Sequence, residues 1–277
     1  MEYVILNGRL EKKEDANISV FNKAMFFNFA VYDSMKVVKG EAFFPEFHVE
    51  RLMESAKIIK LEHNFKKEQI LDWIYKLIKK NKLQNALIRF LLLGCGSDDE
   101  SPQLFIFPVG LTFYKDKDYK KGVRVITFHG ERPFPQAKSK DLLINFMALR
   151  EAMHSDAKDA LLVDSKGFVR EGTRTNFFAI ENGKLYTAPT SDVLEGITRK
   201  IVIELAKKNN IEVVEEKIHV NKLKEFDEFF LTSTSMEVMP ISQIDDYIVE
   251  NGVGKITKNM MKLYNDYCHR NVFNKKQ

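Results

Sequence analysis

The residues best suited to chemistry lie between 171 and 199. Glu171-Gly-Thr-Arg-Thr-Asn176-Phe-Phe is followed by Leu185-Tyr-Thr187 and then by Leu194-Glu-Gly196-Ile-Thr198-Arg199. The stretch holds a lone acid after a turn-prone Asp164-Ser-Lys-Gly167 and a Gly-Ile-Thr at the head of an apolar-periodic run. Between them Asn182-Gly183 gives the strongest two-residue hairpin signal. A helix start offers unpaired backbone N–H groups and the positive end of the helix dipole. A phosphate can sit there, with Thr198 Oγ as a further donor. Read alone, Gly196-Ile-Thr198 is an ordinary helix start and Glu171 a solvated turn carboxylate. Their joint order and spacing are far more specific.

The elements that must position these residues follow from periodicity. Strand-like runs at Tyr3–Leu6, Ala86–Leu93 and Gln103–Pro108 flank two helical patterns, Val49/Leu52/Ala56/Ile59 and Ile70/Trp73/Ile74/Leu77/Ile78. After them come a strand at Val123–Phe128, a helix at Leu142–Met153 and a strand at Ala160–Val163. Phe177–Ile180 and Lys184–Thr187 form the hairpin, a helix runs from Gly196 to Asn209, Glu228–Thr232 is a strand and Ile256–Tyr267 a closing helix. The charged stretch from Tyr114 to Gly122 reads as a linker. The spacing therefore predicts an α+β protein of two domains, residues 1–115 and 123–277, joined by a linker over 116–122. The second domain lacks strict βαβ alternation, which argues for a β-rich core with helices around it.

Composition narrows the function classes. Of the 277 residues, 30% are charged and 44% apolar, a globular balance. The net charge of +4 is too small and scattered to suggest a nucleic-acid or membrane surface. Two distant cysteines, Cys95 and Cys268, form neither a disulfide framework nor a zinc ribbon, and six histidines show no paired ligand spacing, so no metal is expected. No signal peptide and no apolar run of membrane-spanning length is visible, so a cytoplasmic location is expected. P-loop, HExxH and GxSxG motifs are absent. One oddity is 22 phenylalanines, several clustered at Phe21–Phe29.

The 171–199 stretch resembles the class IV aminotransferase signature: an acid, a small residue two on, Asn five on, a Leu-x-Thr, then Leu-x-Gly-Ile-x-Arg. Every required position is filled. The family comprises branched-chain and D-amino-acid aminotransferases and aminodeoxychorismate lyases, and the resemblance covers essentially the whole chain. It implies the fold type IV architecture, a small N-terminal α/β sandwich and a larger C-terminal β-rich domain, with pyridoxal 5'-phosphate as cofactor. It also implies a homodimer. The family's Schiff-base lysine lies upstream of the acid, just before a helix. Lys138, 33 residues before Glu171, fits better than Lys140, 31 before it, although Asp141 stands where an Asn is usual; Lys140 stays open as the alternative. The lysine amine would bond the cofactor aldehyde and shuttle the proton. Arg51, in His48-Val-Glu-Arg51, looks like the arginine that clamps the cofactor phosphate, a task its fork suits. Ile197, Thr198 and Thr234 would add donors there. Glu171 would pair with the pyridine nitrogen and keep it protonated.

On the substrate side the resemblance is looser. Tyr32, in Phe27-Asn-Phe-Ala-Val-Tyr-Asp33, matches the aromatic that lines the family's pocket, while both family glycines and the family acid are replaced. Arg89 resembles the strand arginine of the branched-chain enzymes. Arg174 is unusual within the signature and similar to some atypical D-amino-acid aminotransferases; it is either a substrate-carboxylate ligand or a rim residue. Phe26, Phe27 and Phe29 fall in the segment that relatives use for pocket and dimer face, with buried packing expected for at least two of them. The resemblance thus implies transfer of an amino group between a branched-chain or apolar L-amino acid, or a D-amino acid, and a 2-oxo acid such as 2-oxoglutarate. Pyruvate elimination from aminodeoxychorismate and a non-catalytic homologue are the alternatives.

Overall fold

A computed structural model of the chain describes residues 1–96, 100–250 and 252–273. Among these residues the chain divides into two compact units. The first contains residues 1–112, the short segment Ala137–Asp141 and residues 272–273. The second contains Phe113–Gln136 and Leu142–Asn271.

In the first unit, strands β1 (Tyr3–Leu6), β2 (Arg9–Lys12), β3 (Ala30–Val38), β4 (Glu41–Ala42), β5 (Asn85–Leu93) and β6 (Gln103–Val109) form an antiparallel sheet in the order β2-β1-β6-β5-β3-β4. A short helix α1 (Lys23–Phe26) precedes β3, with Asn22 Oδ1 accepting the Met25 N–H at its start. Helices α2 (Pro45–Ile58) and α3 (Lys67–Asn81) supply the other layer. Their buried stripes, Val49, Leu52 and Ala56 on α2 and Ile70, Ile74, Leu77 and Ile78 on α3, recur at helical spacing. They pack on Val31, Met35 and Val37 of β3 and on Ala86, Ile88, Phe90 and Leu92 of β5. Side chains alternate along a strand, so Tyr32, Ser34, Arg89 and Leu91 take the opposite face of the sheet.

In the second unit, β7 (Val123–His129), β8 (Asp159–Val163), β9 (Phe168–Gly172), β10 (Asn176–Glu181), β11 (Lys184–Thr187), β12 (Val213–Glu215), β13 (Ile218–His219), β14 (Glu228–Ser233) and β15 (Glu237–Ile244) make a mixed sheet in the order β12-β11-β10-β14-β15-β7-β8-β9-β13. β16 (Tyr247–Ile248) pairs with β15. The sheet curls round an apolar core that includes Val125, Leu161, Phe177, Phe229, Leu231 and Met239. Helix α5 (Leu143–His154) packs Ala148 and Ala152 against Ile126, Ala160 and Leu162. Helices α6 (Ile197–Lys208) and α7 (Lys255–Cys268) lie against β14 and β15.

Three expectations change. The 116–122 stretch is no open linker: helix α4 (Asp116–Lys121) fills it, with Asp118 buried at 3.6 Å from Lys158 and Tyr119 Oη donating to the Met236 carbonyl. Its charges advertised solvent, yet the turn directs one acid and one phenol inward. The segment holding Lys138 clusters with the first unit, because it pairs with the edge of β3. Finally, Phe26 and Phe27 are both 73% exposed, and Phe29 alone of the three packs against the core.

Candidate active site

The predicted residues fall into two groups, one on each unit. On the first, Lys138 lies opposite Tyr32. Ser139 bridges Val31 in antiparallel fashion, the Tyr32 N–H donates to the Lys138 carbonyl at 2.9 Å and the Lys140 N–H to the Ala30 carbonyl at 2.9 Å. Lys138 Nζ stands 4.7 Å from the centroid of the Tyr32 ring. The Lys138 backbone N–H donates to Ser55 Oγ at 3.0 Å, and Ser55 sits one helical turn after Arg51 on α2. Both residues therefore answer to the same helix face.

Arg51 is oriented by two residues that the motif did not single out. Asp33, fully buried on β3, accepts Arg51 Nε at 2.8 Å on one oxygen and Arg51 Nη2 at 2.8 Å on the other, a bidentate fork. His48 Nδ1 lies 2.7 Å from Asp33 Oδ1, and the carboxylate assigns that nitrogen its proton. Burial alone would raise the Asp33 carboxyl, but Arg51 and His48 outweigh it and hold it far below the usual range. Burial also pushes His48 below its ordinary value against the pull of Asp33. Arg89 is exposed on β5 opposite Ser34, one same-face pair along from Tyr32 and Leu91.

On the second unit the spacing of the signature has a direct cause. Glu171, buried at the end of β9, accepts Arg132 Nε at 2.8 Å on one oxygen and the Leu194 N–H at 3.2 Å on the other. The Leu194 carbonyl accepts Asn176 Nδ2 at 2.8 Å. A Cβ on Gly196 would meet Asn176 Oδ1 at 2.1 Å, so only glycine lets the start of α6 close on β10. Acid, Asn, Leu and Gly thus form one hydrogen-bonded block that sets the first turn of α6 beside Glu171. Thr187 Oγ1 donates to the Phe177 carbonyl at 2.8 Å, tying the hairpin. Arg199, 2% exposed, donates to the Ala188 carbonyl and to Glu215 at 2.7 Å, so the last residue of the signature braces the fold. Ile197 and Thr198 occupy the first turn of α6, with Thr198 Oγ1 3.4 Å from Tyr264 Oη. Thr234 lies half-buried in the tight turn between β14 and β15. Arg174 is exposed in the loop between β9 and β10.

Beside Glu171 is a cavity of about 70 Å³ lined by Glu131, Arg132, Pro135, Leu162, Arg170 and Asp192 as well. Arg170 bridges Asp164, at 2.6 Å, and Asp192. Arg132, like Asp33 and His48, escaped sequence reasoning. It precedes Glu171 by 39 residues, and its stretch carries no periodic signal.

The donors that each unit carries are of the kinds pyridoxal 5'-phosphate needs. An oriented guanidinium and a helix start with a threonine hydroxyl are anion-binding groups. A buried carboxylate held at both oxygens suits a cationic ring nitrogen, and an amine beside an aromatic ring suits an aldehyde carbon. Fold and donor set together define an enzyme of amino-group chemistry. Residues 30–244 match the family described as Amino-transferase class IV. A putative branched-chain-amino-acid aminotransferase of Methanocaldococcus jannaschii is 34% identical, with 95% of each chain covered. A D-alanine aminotransferase of Staphylococcus epidermidis is 33% identical over 96% of this chain and 98% of its own. A branched-chain amino acid aminotransferase of T.th., solved with pyridoxamine 5'-phosphate, superposes with a TM-score of 0.88 at 26% identity, covering 96% of this chain and 93% of that one. The chain belongs to the class IV aminotransferases and is a pyridoxal-phosphate-dependent transaminase of fold type IV.

Proposed function

We propose that the enzyme moves the amino group between an apolar amino acid and a 2-oxo acid such as 2-oxoglutarate, with Lys138 as the reacting amine. The observation that carries this is the tie between Lys138 and α2: Ser55 takes the Lys138 N–H at 3.0 Å, one turn from Arg51. The Lys140 N–H instead serves the Ala30 carbonyl. The phosphate-binding groups would be Arg51 on the first unit and, on the second, the amides of Ile197 and Thr198, Thr198 Oγ1 and Thr234. Pyridoxal phosphate, when bound, supplies an aldehyde for the amine and a ring that takes up the electrons of the broken Cα–H bond.

The chain's own residues do the rest. Lys138 Nζ holds the proton removed from the substrate Cα and returns it, and the Tyr32 ring beneath it limits where the ammonium can swing. Asp33 and His48 keep the Arg51 fork fixed, so phosphate binding loses little entropy in ordering that side chain. Arg132 and the Leu194 amide hold Glu171 at both oxygens, an acceptor for a protonated ring nitrogen. Arg174 receives the substrate carboxylate, and Arg89 and Tyr32 face the substrate from one side of their sheet. The exposed apolar side chains Phe21, Phe26 and Phe27, and Leu143, Phe146, Met147 and Met153 on α5, support a homodimer in which a second copy covers them. A cytoplasmic setting suits Cys95 and Cys268, which are not joined in a disulfide.

The test adds L- and D-leucine separately to the coloured holoenzyme and, once the spectrum has settled, 2-oxoglutarate. Loss of the cofactor's visible band with one enantiomer, and glutamate formed on the second addition, is the expected outcome. Pyruvate release from aminodeoxychorismate with no response to either amino acid overturns the transfer of an apolar amino group. Arg174→Ala should raise KM for the 2-oxo acid about tenfold or more, as loss of a charged hydrogen bond does, with pyridoxal-phosphate affinity intact.

A further inference from the structure

We propose that Asp159 is a positioning residue for substrate recognition, acting by holding the loop that presents Arg174; this rests on the reading of Arg174 as the substrate-carboxylate ligand. Asp159 opens β8 and is fully buried. One oxygen accepts the Ala160 N–H at 2.9 Å, the Thr173 N–H at 3.1 Å and the Thr173 hydroxyl at 2.5 Å. The other accepts the Thr175 hydroxyl at 2.8 Å. Its hydrogen-bond partners are thus neutral donors, and two of the three residues that supply them flank Arg174.

The loop is held from other sides as well. Asn145 Nδ2, on α5, donates to the Thr173 carbonyl at 2.7 Å, and the Gly172 N–H donates to the Thr175 carbonyl at 2.8 Å. A Cβ on Gly172 would meet Thr175 Oγ1 at 2.1 Å and Asp159 Oδ2 at 2.7 Å, so the clamp leaves room for glycine alone. Burial raises the Asp159 carboxyl, while the two threonine hydroxyls and the charge of Arg174 pull it back down, so the acid and the guanidinium sense one another. Thr173 and Thr175 are buried, whereas Arg174 between them is exposed. A long flexible side chain is thereby mounted on a rigid base, and its backbone is ordered before substrate arrives.

The test is a double-mutant cycle on the holoenzyme with Asp159→Asn, Thr175→Val and Arg174→Ala, reading KM and kcat for the 2-oxo acid, pyridoxal-phosphate affinity and thermal melting. Thr175→Val and Asp159→Asn should each raise KM about five- to tenfold, the weight of one hydrogen bond, with kcat and cofactor affinity within about twofold. In an Arg174→Ala background the same changes should add less than about twofold, because the group through which they act is gone. Thr175→Ser, which keeps the hydroxyl, should restore the parental KM, and Thr175→Val carries the test if Asp159→Asn does not fold. If Arg174→Ala leaves KM unchanged, the carboxylate role of Arg174 fails and this role with it. If Arg174→Ala raises KM while Thr175→Val leaves it alone, or the penalties persist undiminished in the Arg174→Ala background, the positioning role alone is overturned. A loss of cofactor affinity matching the KM rise also overturns it, since Glu171 would then be the residue disturbed.

Discussion

Lys138 and Lys140 sit two residues apart on the same short strand-like segment, and their different hydrogen-bonded surroundings make them separable by experiment. Lys138→Ala is expected to lower turnover by about 10²–10⁴-fold, the span of a lost acid–base group. Lys140→Ala should stay within about twofold; steady-state assays of the two variants side by side decide between them. His48 gives a pH dependence whose sign is fixed by its burial. Its folded pKa lies below the ordinary 6.5, so the unfolded chain takes up a proton first as pH falls, and folding stability drops below pH 6.5. Asp33 acts in the same direction lower down, once pH falls below about 3.8. Asp159, raised by burial, opposes them, since its proton is retained longer in the folded state. The stability gap between the parent and His48→Asn should therefore narrow by up to about 1.4 kcal/mol between pH 7.5 and 5.5, as read by urea unfolding at each pH.

At the scale of elements, the start of α6 is set by its packing on β10. Gly196→Ala would drive a Cβ into Asn176 Oδ1, so Asn176 must release the Leu194 carbonyl and Leu194 must shift from Glu171. Overpacking of this kind costs about 1–3 kcal/mol. The expected result is a lower melting temperature together with weaker pyridoxal-phosphate binding by titration; a change in melting alone would separate the helix start from the cofactor. The strand that carries Tyr32 and Asp33 was the hardest of the first unit to foresee. β3 carries Asp33 and Lys36 among its buried residues, which breaks the apolar/polar alternation by which a half-buried strand is recognised. β15 escaped for a related reason, since Pro240 in its interior argues against a strand. By contrast β1, β11 and the hairpin at Asn182-Gly183 follow local rules and were legible.

At the scale of the whole molecule, exposed apolar surface is the outstanding feature. On α5, Leu143, Phe146, Met147 and Met153 recur at helical spacing on the side away from Ala148 and Ala152, and each is half or more exposed. A stripe of this kind on a folded chain calls for a cover, and symmetric self-association is the commonest one. Light scattering should return twice the chain mass for the parent protein. Phe146→Asp, which adds a charge without touching the core, should shift the mass toward one chain at micromolar concentration. An unshifted dimer would show that α5 is not the contact.

The sequence by itself determined the family signature, because its positions answer one another within a single block of the second unit. Glu171 accepts the Leu194 N–H and Asn176 donates to the Leu194 carbonyl, Gly196 makes room, Thr187 ties the hairpin and Arg199 braces the far side. Such ties are made at fixed spacing and therefore show as a pattern. Only the tertiary structure decided which charges hold the working ones in place. Arg132 reaches Glu171, Asp33 reaches both His48 and Arg51, and Asp159 reaches Thr173 and Thr175 across 14 to 39 residues of chain. It also decided that Phe26 and Phe27 face outward. A buried charge must find a partner, yet nothing local dictates which one, because the partner is whatever side chain the packed sheet and helix bring within 3 Å.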